Sequence, residues 1–227
     1  YSNRVISTEE IMSLFGPPNI GKLSNKKDVK GLIKALSFKE KGDSQEFYTI
    51  RTDAVMALGE IGDKSAVDPL VDLLILYNHI QYNEIFKEKE NLVLAIAQAL
   101  GKIGDSKAAN ILCSFLQNMR KKAPWHLQVE FVKAISQVGN KNHIDTIYSL
   151  LRDENLKIRS AALEALEKLD FKPEEREDCL DYWIAKKQYG KYKVYNEKDL
   201  EALTNEIRVI YQDPITSVED KRIPYLA

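Results

Sequence analysis

The chain has 227 residues, 44% of them hydrophobic and 30% charged, which excludes a disordered chain and leaves room for one extended array or two small domains. A formal net charge of −1 gives no overall pull toward nucleic acid or anionic lipid, although a local patch stays open. Two distant cysteines, Cys113 and Cys179, are too few for a disulfide framework or a zinc site and point to a reducing, cytoplasmic compartment. No apolar run reaches membrane-spanning length, and no signal-peptide pattern opens the chain. The first residue is Tyr1, not Met, so the sequence reads as processed, trimmed or cut from something longer.

In chain order, Ser7-Thr8-Glu9-Glu10 is a capping-box pattern ahead of Ile11, Leu14 and Phe15, and Gly16-Pro17-Pro18 stops that short helix. Residues 1–26 are expected to cap an array that fills 27–171. Within the array one segment recurs. Ala54-Val55-Met56-Ala57-Leu58-Gly59-Glu60-Ile61-Gly62-Asp63 returns as Ile96-Ala97-Gln98-Ala99-Leu100-Gly101-Lys102-Ile103-Gly104-Asp105. It returns again at Phe131–Asn140, and in degenerate form at Ala162–Asp170.

Apolar residues keep helical spacing through each copy, and a small residue holds one register throughout: Ala57, Ala99, Ala134 and Ala165. Gly62, Gly104 and Gly139 are expected to end three of the helices in the left-handed conformation. Asp63, Asp105 and Asn140 follow at once and are expected to cap the next helix. A second helix then carries an apolar stripe: Val67, Leu70, Leu73 and Leu74; Ala109, Leu112, Phe115 and Leu116; Ile144, Ile147, Leu150 and Leu151. Val29, Leu32, Ala35 and Leu36 fit the same register one unit earlier. A lone pair of helices cannot bury such a stripe, so stacking must supply the core.

These residues resemble the HEAT-like repeat first named for the phycobilisome lyases, over about Asp28 to Leu169. The resemblance implies an all-α fold: a right-handed α-α superhelix, or HEAT-like solenoid, of about four to five helical hairpins with N- and C-terminal caps. It also implies that the second helix of each pair lines the concave side. It does not fix a function, because a fold hosts many.

Beyond the array, 172–212 reads as a divergent helical unit and cap, with helices expected over Pro173–Gln188 and Asn196–Tyr211. Tyr182 and Trp183 are expected to pack there, and 213–227 reads as an irregular tail. Extra residues between units, at Ser37–Gln45, Tyr77–Glu88 and Asn118–Pro124, share one edge of a solenoid. Phe47, Tyr48, Tyr77, Tyr82, Phe86 and Trp125 lie in or beside them, as partner contacts or as packing for longer loops.

On the expected concave ribbon the outward positions are Lys30 and Lys34, Asp68 and Asp72, Asn110 and Ser114, Asp145 and Ser149. They run from basic to acidic to polar, and the acidic middle suits a basic protein surface. Lys186–Lys193 interleaves lysines with tyrosines, a weak single-strand pattern that reads better as a surface loop. Arg51 and Arg159 share a register from which a neighbouring carboxylate is in reach, and Cys113 reads as a small apolar filler.

No catalytic motif emerges. His79, His126 and His143 are followed by Ile, Leu and Ile, so the His-Glu iron ligands of deoxyhypusine hydroxylase-like repeats are missing. Acidic and neutral ribbon positions argue against a HEAT-like DNA glycosylase. A phycobilin lyase stays open as an alternative, carried by the repeat alone. The expected function is a non-catalytic scaffold or adaptor for a protein partner, with no catalytic residue, metal or cofactor, and without nucleic acid or membrane.

Overall fold

A computed structural model of the chain describes residues 17–38, 45–77, 87–120 and 123–172, with Tyr182 beyond them. The described residues form nine α-helices and no strand, stacked as a superhelix of HEAT-like units. The helices are α1 (Ile20–Asn25), α2 (Val29–Leu36), α3 (Gln45–Ile61), α4 (Val67–Tyr77) and α5 (Lys87–Ile103). They continue as α6 (Ala109–Met119), α7 (Trp125–Val138), α8 (Ile144–Tyr148) and α9 (Leu156–Lys168). The helix α1, capped by Asn19, is not among the elements expected from sequence. The expected helix at 7–15 and those beyond 172 lie outside the described residues, except for Tyr182.

The corners follow from their residues. Gly62 and Gly104 hold left-handed φ values of 74° and 73°. Asp63 then accepts from the Ser65 N–H at 2.8 Å, and Asp105 from the Lys107 N–H at 3.0 Å. Each cap starts a short 3-10 turn, Lys64–Ala66 or Ser106–Ala108, that leads into the next α-helix. Gly139 differs from expectation: its φ is −76° and its ψ 175°, an extended conformation open to any residue. Glycine is favoured there by crowding instead, since a Cβ would lie 2.6 Å from the Ile135 carbonyl oxygen. A capping box closes that corner: Asn140 accepts from the Asn142 N–H, while the His143 Nδ1 accepts from the Asn140 N–H at 3.1 Å. In the degenerate copy Asp170 takes the glycine's place with a φ of 56°, a conformation that aspartate tolerates.

The odd-numbered helices form one row and the even-numbered helices the other. Within the odd row α3, α5, α7 and α9 pack directly, each on the next. The aligned alanines are all buried at these contacts. Gly59 brings the backbones closest: a Cβ there would sit 2.8 Å from the Ala99 Cα, and one on Gly101 would sit 3.2 Å from the Ala134 Cα. Each even helix lies against the odd helix that follows it, α2 on α3, α4 on α5, α6 on α7 and α8 on α9, and keeps its backbone farther from its even neighbours. A two-layer stack drawn together in one row and spread in the other curves toward the tight row. We infer on this ground that the odd helices line the concave side, where the resemblance implied the second helix of each pair.

The apolar stripes form the core between rows. Leu32, Leu70, Leu74, Leu112 and Leu116 are fully buried, each worth roughly 1.5–3 kcal/mol against exposure. Phe115 and Phe131 stack with centroids 5.1 Å apart. The helix α8 is short because Ser149 bends back to the Thr146 carbonyl, and the chain continues as the 3-10 turn Ser149–Arg152. At the far end Phe171 packs between Tyr148 and Tyr182, so Tyr182 is a packing residue as expected.

Gly59→Ala is expected to cost about 1–3 kcal/mol by overpacking against the Ala99 backbone. Gly62→Ala meets nothing within 4 Å, so it is expected to cost only the left-handed strain of about 1–2 kcal/mol. Urea unfolding reads both; a Gly59→Ala protein as stable as its parent would remove the close-contact account.

Candidate functional site

The exposed side of the odd row is a polar wall. Its side chains stand one position before and three after the aligned alanines: Met56, Gln98, Lys133 and Glu164; Glu60, Lys102, Gln137 and Lys168. Between α5 and α7 they surround a groove of about 250 Å³, lined by Gln98, Lys102, Glu130, Lys133, Ala134 and Gln137. Glu130 joins the two repeats, accepting from the Gln98 Nε2 at 2.9 Å and the Lys133 Nζ at 2.7 Å. Burial raises its carboxyl, but the hydrogen bonds from Lys133 and Gln98, with the Lys133 charge, outweigh that and hold it below the ordinary carboxylate value. Lys102 reaches Glu60 of the preceding unit, and His126 reaches Glu90. Reading the even-helix stripes as the inner ones misses this wall. Its signal is present in the sequence all the same: both registers are polar in every copy except at Met56.

The expected ribbon positions Lys30, Lys34, Asp68, Asp72, Asn110, Ser114, Asp145 and Ser149 are all exposed. They belong to the even row or its 3-10 extension. Some tie repeats together. The Asn110 Oδ1 lies 3.1 Å from the His143 Nε2, and Arg120 donates to the Ser149 hydroxyl at 3.0 Å and carbonyl at 2.8 Å.

Along the insertion edge Trp125 is 46% exposed at the start of α7, edge-on to the His126 ring. Leu156 is 61% exposed at the equivalent first position of α9, and Leu76 is 70% exposed near the end of α4. Tyr77 turns the other way. It is buried and accepts a 3.4 Å hydrogen bond from Arg51, which removes it as a surface contact. Burial pushes its phenol up, with the Arg51 charge partly offsetting. Tyr48 is also buried, while Tyr82 and Phe86 lie outside the described residues.

Of the two arginines that share a register, Arg51 donates to the Tyr77 hydroxyl, and Arg159 to the carbonyls of Asp153 and Glu154. Cys113 is buried as expected, and burial raises its thiol to about 11 despite a hydrogen bond with Thr146. A thiol held that high is not a nucleophile at neutral pH. Among the described residues no helix is long and apolar enough to cross a membrane, and no group of three metal-ligating side chains assembles.

The stacked helices and their capped corners define an α-solenoid of HEAT repeats, and the family model for HEAT repeats matches residues 114–181. The repeat is of a particular kind: the PBS lyase HEAT-like repeat matches residues 50–75 and 93–118, so the chain is a HEAT-like repeat protein of the PBS lyase type. Among solved structures it is similar to a chain in the complex of CpcE and CpcF of phycocyanin lyase from Nostoc sp. PCC7120. Identity is 19% and the TM-score 0.51, over 89% of this chain and 90% of that one, a likeness of fold. No curated protein matches the chain.

Iodoacetamide at neutral pH is expected to leave Cys113 unmodified in a Cys179→Ser protein until the protein is unfolded; prompt labelling of the native form would contradict the buried site. The Glu130 carboxyl is lowered on folding, so its contribution is in place above the ordinary carboxylate range and is lost as pH falls through the lowered value. Glu130→Gln should therefore shrink the acid limb of the stability profile, and an unaltered limb would count against the link.

Proposed function

We propose that this chain is a protein-binding array, a scaffold or adaptor that engages a protein partner on the concave wall of odd helices and along the insertion edge. The observation that carries the reading is the groove between α5 and α7, where long polar side chains of adjacent repeats converge. Such side chains supply adaptable hydrogen bonds and charge complementarity without a reacting group. Trp125 and Leu156, exposed at equivalent positions of neighbouring units, add apolar anchors on the edge. Repeat arrays present extended concave surfaces of this kind.

A second reading is lyase-like, handling a linear tetrapyrrole. The fold likeness to a chain in a phycocyanin lyase complex favours it. That complex also pairs two different chains, which agrees with a protein partner under either reading. If the second reading holds, the buried Cys113 thiol is not the group that bonds a chromophore.

Affinity capture from the native cell, read by mass spectrometry, separates the readings. Wild type is expected to recover a defined polypeptide, and Lys102→Glu with Lys133→Glu to lose it while Trp125→Ala weakens it. Recovery that is chiefly nucleic acid, or unchanged by the lysine reversals, would sink the concave-wall reading. A visible absorption shift on adding a linear tetrapyrrole would favour the lyase-like one.

A further inference from the structure

Charge is distributed unevenly along the array. Lys22, Lys26, Lys27, Lys30 and Lys34 are all exposed around the corner between α1 and α2, and the one carboxylate among residues 17–38 is Asp28. Asp28 is already committed, its Oδ1 accepting from the Gly31 N–H at 2.9 Å to cap α2. None of the five ammonium groups has a carboxylate partner among the described residues. Elsewhere the lysines are interspersed with carboxylates, and four exposed ones pair with them: Lys64 with Asp105, Lys102 with Glu60, Lys133 with Glu130 and Lys172 with Asp170.

The corner is also locally unfavourable. Lys30 and Lys34 are like charges one turn apart on α2, a repelling arrangement. Lys27 sits at a φ of 50°, a left-handed conformation that suits glycine or asparagine better. The left-handed turn closes α1, with the Lys27 N–H on the Ser24 carbonyl and the Asp28 N–H on the Leu23 carbonyl, both at 2.9 Å. The Lys30–Lys34 repulsion has no such return among the described residues, and an anionic partner would relieve it.

We propose that the α1–α2 corner docks an acidic segment of a partner protein, its carboxylates held by these lysines. The inference rests on the protein-binding reading and adds the chemistry of the partner. The size and borders of the patch favour a short polypeptide over a nucleic acid. Eight residues make α2 about 12 Å long. At the equivalent positions of α4, the next even helix, stand exposed Asp68 and Asp72, which would repel a phosphate backbone running along the row. The cations are lysines, point charges without the bidentate fork that grips phosphate. A lipid surface is disfavoured too, because the exposed large apolar residues among the described ones (Met56, Ile75, Leu76, Trp125 and Leu156) all lie elsewhere.

The test is fluorescence anisotropy of a labelled oligo-glutamate peptide with the full chain, over a range of salt. Saturable binding that weakens as salt rises is expected. Lys30→Glu with Lys34→Glu should weaken it about tenfold or more, with an unchanged far-UV circular dichroism spectrum. Lys27→Gly should raise stability while binding persists. The concave-wall pair Lys102→Glu and Lys133→Glu should leave peptide affinity as it was, so this proposal and the groove reading fail separately. No saturable binding, equal binding by the Lys30/Lys34 reversal, or tighter binding of duplex DNA or phosphatidylserine vesicles than of the peptide would each overturn it.

Discussion

The close approach of the odd helices sets everything else. Alanine at one register, with Gly59 and Gly101 two positions on, lets α3, α5 and α7 meet nearly backbone to backbone. Larger side chains there would push the units apart and leave the leucine stripes half-covered. Packed interiors resist such changes, because atoms drawn away from one neighbour find no substitute on the other side. The same approach decides curvature, and curvature decides which side chains look inward. Gln98, Lys102, Glu130, Lys133 and Gln137 form a groove because the helices that carry them are pulled together.

The corners serve that row rather than acting alone. A left-handed residue or a capping side chain ends each of α3, α5 and α7 sharply, and the chain returns in the other layer with no long loop. The helix ends are built by different means. Gly62 and Gly104 take the left-handed conformation, Asp170 takes it without being glycine, and Gly139 stays extended while Asn140 and His143 close the turn reciprocally. The geometry of the stack repeats across its units more strictly than the residues that make it.

Much of the fold was legible, because the repeat places the same residue types at the same registers four times. Apolar spacing, the small residue and the cap are local signals, and each survives into the structure. What the sequence hid was relational. Which row lies inside depends on comparing how closely the helices of each row approach one another, and no single helix carries that information. Tyr77 looks like an edge aromatic by position, but its ring turns inward to meet Arg51, a partner 26 residues away. The helix α1 is six residues long with Gly21 inside it, too short to show a period. Along the edge the pattern was a better guide, and Trp125 is exposed where the insertions place it.

The unequal rows also give the molecule a mechanical bias. The odd helices meet nearly backbone to backbone, while the even helices keep their backbones farther apart and are tied by side chains, Asn110 to His143 and Arg120 to Ser149. Backbone contacts leave little room to slide, whereas side-chain bridges turn about their rotatable bonds. Flexing of the array therefore pivots on the odd row, and the even row takes up the displacement, like pages hinged at a spine.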